Sequence, residues 1–185
     1  VVEPGHHLLR LVVRTPCNFG DGGGTAVVDR PVALDVWDDL PYLPASSLKG
    51  VLAGRAGNLH RADGSRNERR EALFGSAEIP GRVVFGDGEL LLSPVLLRDG
   101  SRADVVPART LYRIVRAGGL ELPGFRAAER PDAYMGEPDP WRLPAPAHRA
   151  DLGFDLGTLE QALGRERLVV AGPEAAAALW RQAVE

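Results

Sequence analysis

Gly81 to Leu97, GRVVFGDGELLLSPVLL, has strand chemistry on both sides of a central Gly86-Asp87-Gly88. Apolar runs flanking such a turn predict a bend or hairpin joining two strands. The next segment, PARTLYRIVRAGG, begins at Pro107 and ends at Gly118 and Gly119. Leu111, Ile114 and Val115 give it one apolar face, so it reads as a helix with proline at its start and glycine past its end. Upstream, HLLRLVVRT (7–15) alternates Leu9, Leu11 and Val13, the period of a half-buried strand. PVALDV reads as a short strand and DDLPYLPA as loop. SSLKGVLAGRAG reads as a helix capped by Ser46 or Ser47, with Leu48, Val51 and Leu52 at i, i+3, i+4. SRNERREALFG reads as a second short helix ending at Gly75. Downstream, RERLVVAG is a strand and PEAAAALWRQAVE a closing helix from Pro173.

Strand, helix, two strands, helix, strand is the βαββαβ order of an α+β, ferredoxin-like fold, the modified RRM topology, here with long loop insertions. The whole chain, 1–185, is expected to form one domain. Residues 119–150 hold Pro123, Pro131, Pro138, Pro140, Pro144 and Pro146 with almost no periodicity, and are expected to form a proline-rich thumb or arm.

Bulk composition excludes several classes. The 185 residues are 44% hydrophobic and 25% charged, in the range of globular proteins. No apolar run approaches the roughly 18 residues of a membrane span, so no membrane partner and a cytoplasmic location are expected. One cysteine, Cys17, excludes an internal disulfide and a multi-cysteine zinc site. The only methionine is Met135, which points to a trimmed or partial chain. A net charge of −3 neither advertises nor excludes nucleic acid, because local patches decide binding. Lysine and arginine total 22, and Lys49 is the one lysine.

Three segments in order, TPCNFGDGGGTAVVDRPV, LPYLPASSLKGVLAG and LFGSAEIPGRVVFGDGELLLSPV, resemble the RAMP superfamily. Within it the similarity is to the repeating backbone subunit of type III CRISPR effector complexes, of the Cmr type. The resemblance covers about residues 7–117, and more weakly RLVVAGPEAAAALW. It implies an RRM-derived fold and copies stacked along a guide RNA. It also implies a thumb wedged into the guide–target duplex, and target RNA cut by an aspartate in the loop after the first strand. That aspartate matches Asp29. The family often carries a histidine where this chain has Asn18, and continues beyond this chain's end with further strands and a glycine-rich loop. The partners so implied are guide RNA, target RNA, other copies of the chain and other effector subunits.

On this reading Asp29 is the catalytic residue and a tentative metal ligand, with Mg²⁺ or another divalent cation implied by the resemblance. A free aspartate, with a pKa of about 3.9, is a weak base near neutral pH, whereas hydrated Mg²⁺ needs only one or two carboxylates. By its residues alone, an aspartate before Arg30-Pro31 is a turn former. Ser46, Ser47, Lys49 and Gly50 are expected to bind guide-RNA phosphate at a helix start; ordinary serine capping is the competing reading. Gly20 and Gly22 could cradle phosphate or simply form a flexible loop. Arg55, with Arg61, Arg66, Arg69 and Arg70, could line a guide channel or form a solvated helix face. DVWDD, 35–39, reads as a solvated loop rather than a metal cluster. His6, His7, His60 and His148 are scattered, which leaves a histidine ribonuclease as a minor alternative, and Cys17 is expected to be packed in its loop. In the arm, Phe125, Tyr134, Met135 and Trp141 either wedge between bases or pack. The competing functions are a non-catalytic RNA-binding scaffold, a guide-precursor processing ribonuclease, and an RRM-like domain without a CRISPR role.

Overall fold

The computed structural model describes residues 5, 7–15, 17, 19–20, 32–97, 99–125, 133–136, 148–149 and 153–184. By contacts the chain divides into two compact units: 1–17, 35–40 and 90–185 form the larger, and 18–34 with 41–89 the smaller.

The larger unit is built on a five-stranded mixed sheet. Its strands are β3 (Ser93–Leu96), β4 (Arg102–Pro107), β5 (Ala133–Gly136), β6 (His148–Arg149) and β7 (Leu168–Ala171), in spatial order β3-β4-β7-β5-β6. β3 and β4 form an antiparallel hairpin in which Ser93 faces Val105 and Leu96 faces Arg102. Its turn is locked by Asp99, whose carboxylate accepts from the Ser101 N–H at 2.8 Å and from the Ser101 hydroxyl. The hydroxyl bond, then the backbone bond, holds Asp99 below the usual carboxylate range. Pro94 sits on edge strand β3, where a missing N–H is tolerated.

β7 lies between β4, to which it is parallel, and β5, to which it is antiparallel. Its four residues LVVA are all buried, as expected of a strand covered on both faces. Alternation sends Val169 and Ala171 into one cluster with Val105 of β4 and Ala175, Ala176 and Leu179 of α5 (Pro173–Val184). Leu168 and Val170 go into the other, with Val106, Leu111 of α3 (Ala108–Arg116) and Leu159 of α4 (Leu156–Leu163). The alanines of α5 let that helix lie close to the sheet. α4 is capped by Asp155, which accepts from the Thr158 hydroxyl and N–H, and ends at Gly164 with φ +64°. Those bonds, the hydroxyl's first, lower the Asp155 pKa, so its support of α4 is present at neutral pH and lost as pH falls through that lowered value.

The expected α+β class is what folds, but three segments differ from their reading. Residues 7–15 form no strand, and Leu8, Leu9, Leu11, Val12 and Val13 are all exposed. Alternation there supplies propensity, and a strand also requires a ladder partner, which no described residue provides. Residues 81–87 form no hairpin arm. Val83 instead donates to the Leu73 carbonyl at 3.1 Å, and β2 (Gly88–Glu89) pairs with β1 (Tyr42–Leu43). PVALDV makes only isolated bridges, Gly20 with Val32 and Leu34 with Pro41. Within 119–150, the described residues put β5 and β6 into the sheet. Phe125 and Met135 are half-buried and pack against the core, Phe125 edge-on to Phe154 at 5.3 Å. Trp141 and the Tyr134 side chain lie outside the described residues.

Leu111, fully buried, should tell core from surface. Leu111→Ala is expected to cost about 2–5 kcal/mol in urea unfolding. Val51→Ala, at a residue 62% exposed, should change stability by no more than about 0.5 kcal/mol.

Candidate nucleic-acid interface

The smaller unit holds most of the residues singled out from sequence. Helix α1 runs Ala45–Arg55. Its N-cap position is Pro44, whose carbonyl accepts from the N–H groups of Ser47 and Leu48 at 3.0 and 3.1 Å. No side chain within α1 caps it, so Ser46 and Ser47 are not caps; they lie exposed in the first turn. Pro44 takes the cap position because its extended backbone, ψ 132°, leads out of β1. The carboxylate at the helix start comes from elsewhere: Asp87 Oδ1 accepts from the Ala45 N–H at 2.7 Å. The sequence signal nearest that role is Asp87 between Gly86 and Gly88, which reads as a bend and does not point to a helix start 42 positions away.

The Asp87 contact ends a strip of hydrogen bonds. The Phe19 carbonyl accepts from the Ala33 N–H at 2.7 Å, and the Ala33 carbonyl accepts from Tyr42 at 3.1 Å. Tyr42 and Leu43 then pair with Glu89 and Gly88. The Gly20–Val32 bridge closes the base of the segment 21–31. Gly20 is thus fixed in a pair, while Gly22 and Asp29 lie outside the described residues.

Lys49 is half-buried and Gly50 exposed. A Cβ on Gly50 would meet nothing within 4 Å, so the protein's own packing does not require glycine there. The buried side of α1 is Ala53, flanked by half-buried Leu48 and Leu52; Val51 faces outward. Helix α2 (Glu68–Phe74) is capped by Asn67, which accepts from the Arg70 N–H at 3.2 Å, and it ends at Gly75 with φ +79°. A Cβ on Gly75 would lie 2.5 Å from the Gly81 nitrogen, so glycine is obligatory at that close approach. Of the basic stretch, Arg66 is held by Glu71 and Glu78 at 3.1 and 3.4 Å, and Arg70 reaches the Gly75 carbonyl. Arg55, Arg61 and Arg69 are exposed.

In the larger unit the DVWDD aspartates build a turn. Asp35 accepts from the Trp37 N–H at 2.8 Å, Asp38 from the Leu40 N–H at 3.2 Å, and Asp39 takes a left-handed φ of +54°. Arg109 bridges Asp35 and Asp38, and Arg181 holds Asp39 at 2.8 Å. These acids are spent on backbone and arginine. Among the described residues no three His, Cys, Asp or Glu side chains gather as a metal site. Cys17 is exposed rather than packed. No helix among the described residues is long and apolar enough to cross a membrane.

Comparison with known proteins adds family. The model of the RAMP superfamily matches residues 10–161. Two solved structures share the fold. A Cmr4 crystal structure has 22% identity and a TM-score of 0.57, over 90% of this chain and 69% of that one. Oligomeric Cmr4 from Pyrococcus furiosus has 19% identity and a TM-score of 0.50, over 78% of this chain and 64% of that one. The α+β class is thus of the ferredoxin-like RAMP kind. A probable cytosol aminopeptidase of Micrococcus luteus is 29% identical over 111 residues, which are 58% of this chain and 22% of that protein. The chain spans about a fifth of that relative and 64% of the Pyrococcus furiosus chain.

Removing the Asp87 carboxylate should loosen α1. Asp87→Ala is expected to cost about 1 kcal/mol in urea unfolding, the usual size of a lost helix cap, and Asp87→Asn clearly less because its amide oxygen still accepts.

Proposed function

We infer the work of the molecule from one premise: this chain belongs to the RAMP superfamily. We propose that it is a backbone subunit of a type III CRISPR effector, binding guide RNA through its phosphates, stacking as repeated copies with other effector subunits, and cutting the paired target RNA. Sequence reading then falls to base pairing, and the protein supplies backbone contacts and position.

The observation that carries this reading is the hydrogen-bonded strip of the smaller unit. It ties the base of segment 21–31, which contains Asp29, to the start of α1. RNA held at α1 would then share one hydrogen-bonded support with Gly20 and Val32, the residues that flank 21–31, and proximity supplies much of the rate of a phosphoester cleavage. At α1 the N–H groups of Ala45, Ser47 and Leu48 already have partners, whereas the Ser46 N–H has none among the described residues. A phosphate would take the Ser46 N–H with the Ser46 and Ser47 hydroxyls, and Lys49 would offset the nearby Asp87 charge. The open space at Gly50 leaves room for an RNA backbone. Gly20, Gly22 and Arg55 are proposed as further RNA contacts.

Asp29 is proposed as the residue on which cutting depends: the ribose 2′-OH gives up its proton and attacks the adjacent phosphate, the P–O5′ bond breaks, and the 5′-oxygen leaves with a proton, so a 2′,3′-cyclic phosphate remains. A divalent cation, Mg²⁺ in the first instance, is part of the proposal, and Asp29 would be its protein carboxylate.

In a reconstituted complex with guide RNA, Asp29→Ala is expected to abolish evenly spaced cutting of a labelled complementary RNA while guide and target stay bound. Equal cutting by mutant and wild type would reject the assignment. No cutting by either, with RNA bound, would leave a scaffold.

A further inference from the structure

Helix α3 presents a second surface that the reading above does not use. Arg109, Tyr112, Arg113 and Arg116 follow one another at i, i+3, i+4 and i+7, so they share one face, opposite buried Leu111. With Ala117 they line an open concavity. No acidic residue occurs in α3, although the chain as a whole is net negative.

The face joins charge to a braced aromatic ring. Tyr112 is 38% exposed. One side of it rests on Phe125, ring centroids 6.4 Å apart, and Phe125 in turn meets Phe154. The Arg116 guanidinium lies over the tyrosine ring, 5.7 Å from its centroid. At the other end, Arg109 grips Asp35 and Asp38, the two residues that flank Val36 and Trp37. That clamped turn holds Trp37 78% exposed.

We propose that the α3 face, with Tyr112, Arg113 and Arg116 at its centre, is a binding site for single-stranded RNA, phosphates drawing the guanidiniums outward and a base stacking on the face of Tyr112 over which Arg116 lies. The combination of an anchored aromatic plane and arginines is what sequence-tolerant single-strand binding requires. An acidic polypeptide fits less well, because it could pair with the arginines but carries no planar base to stack on the braced Tyr112 ring. The inference rests on the chain being an RNA binder, and it concerns a different unit from the α1 site.

The test uses the full chain and a fluorescein-labelled oligouridylate of about twenty nucleotides, titrated at several salt concentrations. Arg113→Gln/Arg116→Gln should weaken binding at least about tenfold and make the log–log salt slope shallower by about 1.4, two phosphates at about 0.7 each. Tyr112→Leu, which keeps an apolar group against Phe125, should weaken binding about fivefold or more with the slope unchanged. Unchanged affinity and slope in both variants would overturn the inference. Polyglutamate that binds the wild type but neither variant, while the oligouridylate binds all three equally, would also overturn it, assigning the face to acidic polypeptide. Ser46→Ala/Ser47→Ala separates the two readings. If it weakens binding while the α3 variants do not, only the α3 inference fails; if the α3 variants weaken binding and it does not, only the α1 assignment fails.

Discussion

The hydrogen bond from the Ala45 N–H to Asp87 closes the smaller unit. A helix start has donors to satisfy, and no residue of α1 itself answers them with a side chain. Asp87 reaches Ala45 across 42 positions of sequence because the two-residue ladder of β1 and β2 sets Gly88 against Leu43. A Cβ on Gly88 would lie 3.1 Å from Leu43, so a small residue suits that approach. The same ladder continues through Tyr42 and Ala33 to Phe19. One strip of hydrogen bonds therefore runs from the start of α1 to Gly20 and Val32, the residues that flank 21–31. It also engages one N-terminal donor with a carboxylate, so a phosphate at α1, as proposed, would meet Ser46, Ser47 and Lys49 instead.

The larger unit obeys a different constraint. A strand covered on both faces must be apolar at every position, and β7 is. Its two alternating sets of side chains commit α5 to one side of the sheet and α3 with α4 to the other. Burying Leu111 on the sheet turns the opposite face of α3 outward, which is how three arginines and a tyrosine come to share one surface. The fold makes that surface as a consequence of packing its other side.

Helices were legible where caps and apolar spacing agreed. α3, α5 and the end of α2 at Gly75 lie where Pro107, Pro173 and the glycine placed them. α4 went unread although Asp155, Thr158 and Gly164 mark both its ends, because it adjoins a stretch dominated by prolines. Strands were harder, since alternation does not name a partner. LVVA was found because continuous apolarity needs no partner to be recognised. HLLRLVVRT was misplaced because its alternation is met by no ladder among the described residues. The helix start at SSLKG was legible, and Ser46, Ser47 and Gly50 lie exposed there, while the carboxylate at that start came from Asp87, a contact that only tertiary structure could pair with Ala45.

Amide hydrogen exchange of the full chain, with and without saturating guide RNA, reads whether RNA sits at the start of α1. Slowed exchange is expected at the start of α1, at Ser46 above all, and in the segment 20–34. Exchange at 45–50 that stays unchanged on saturation with guide RNA would contradict that placement.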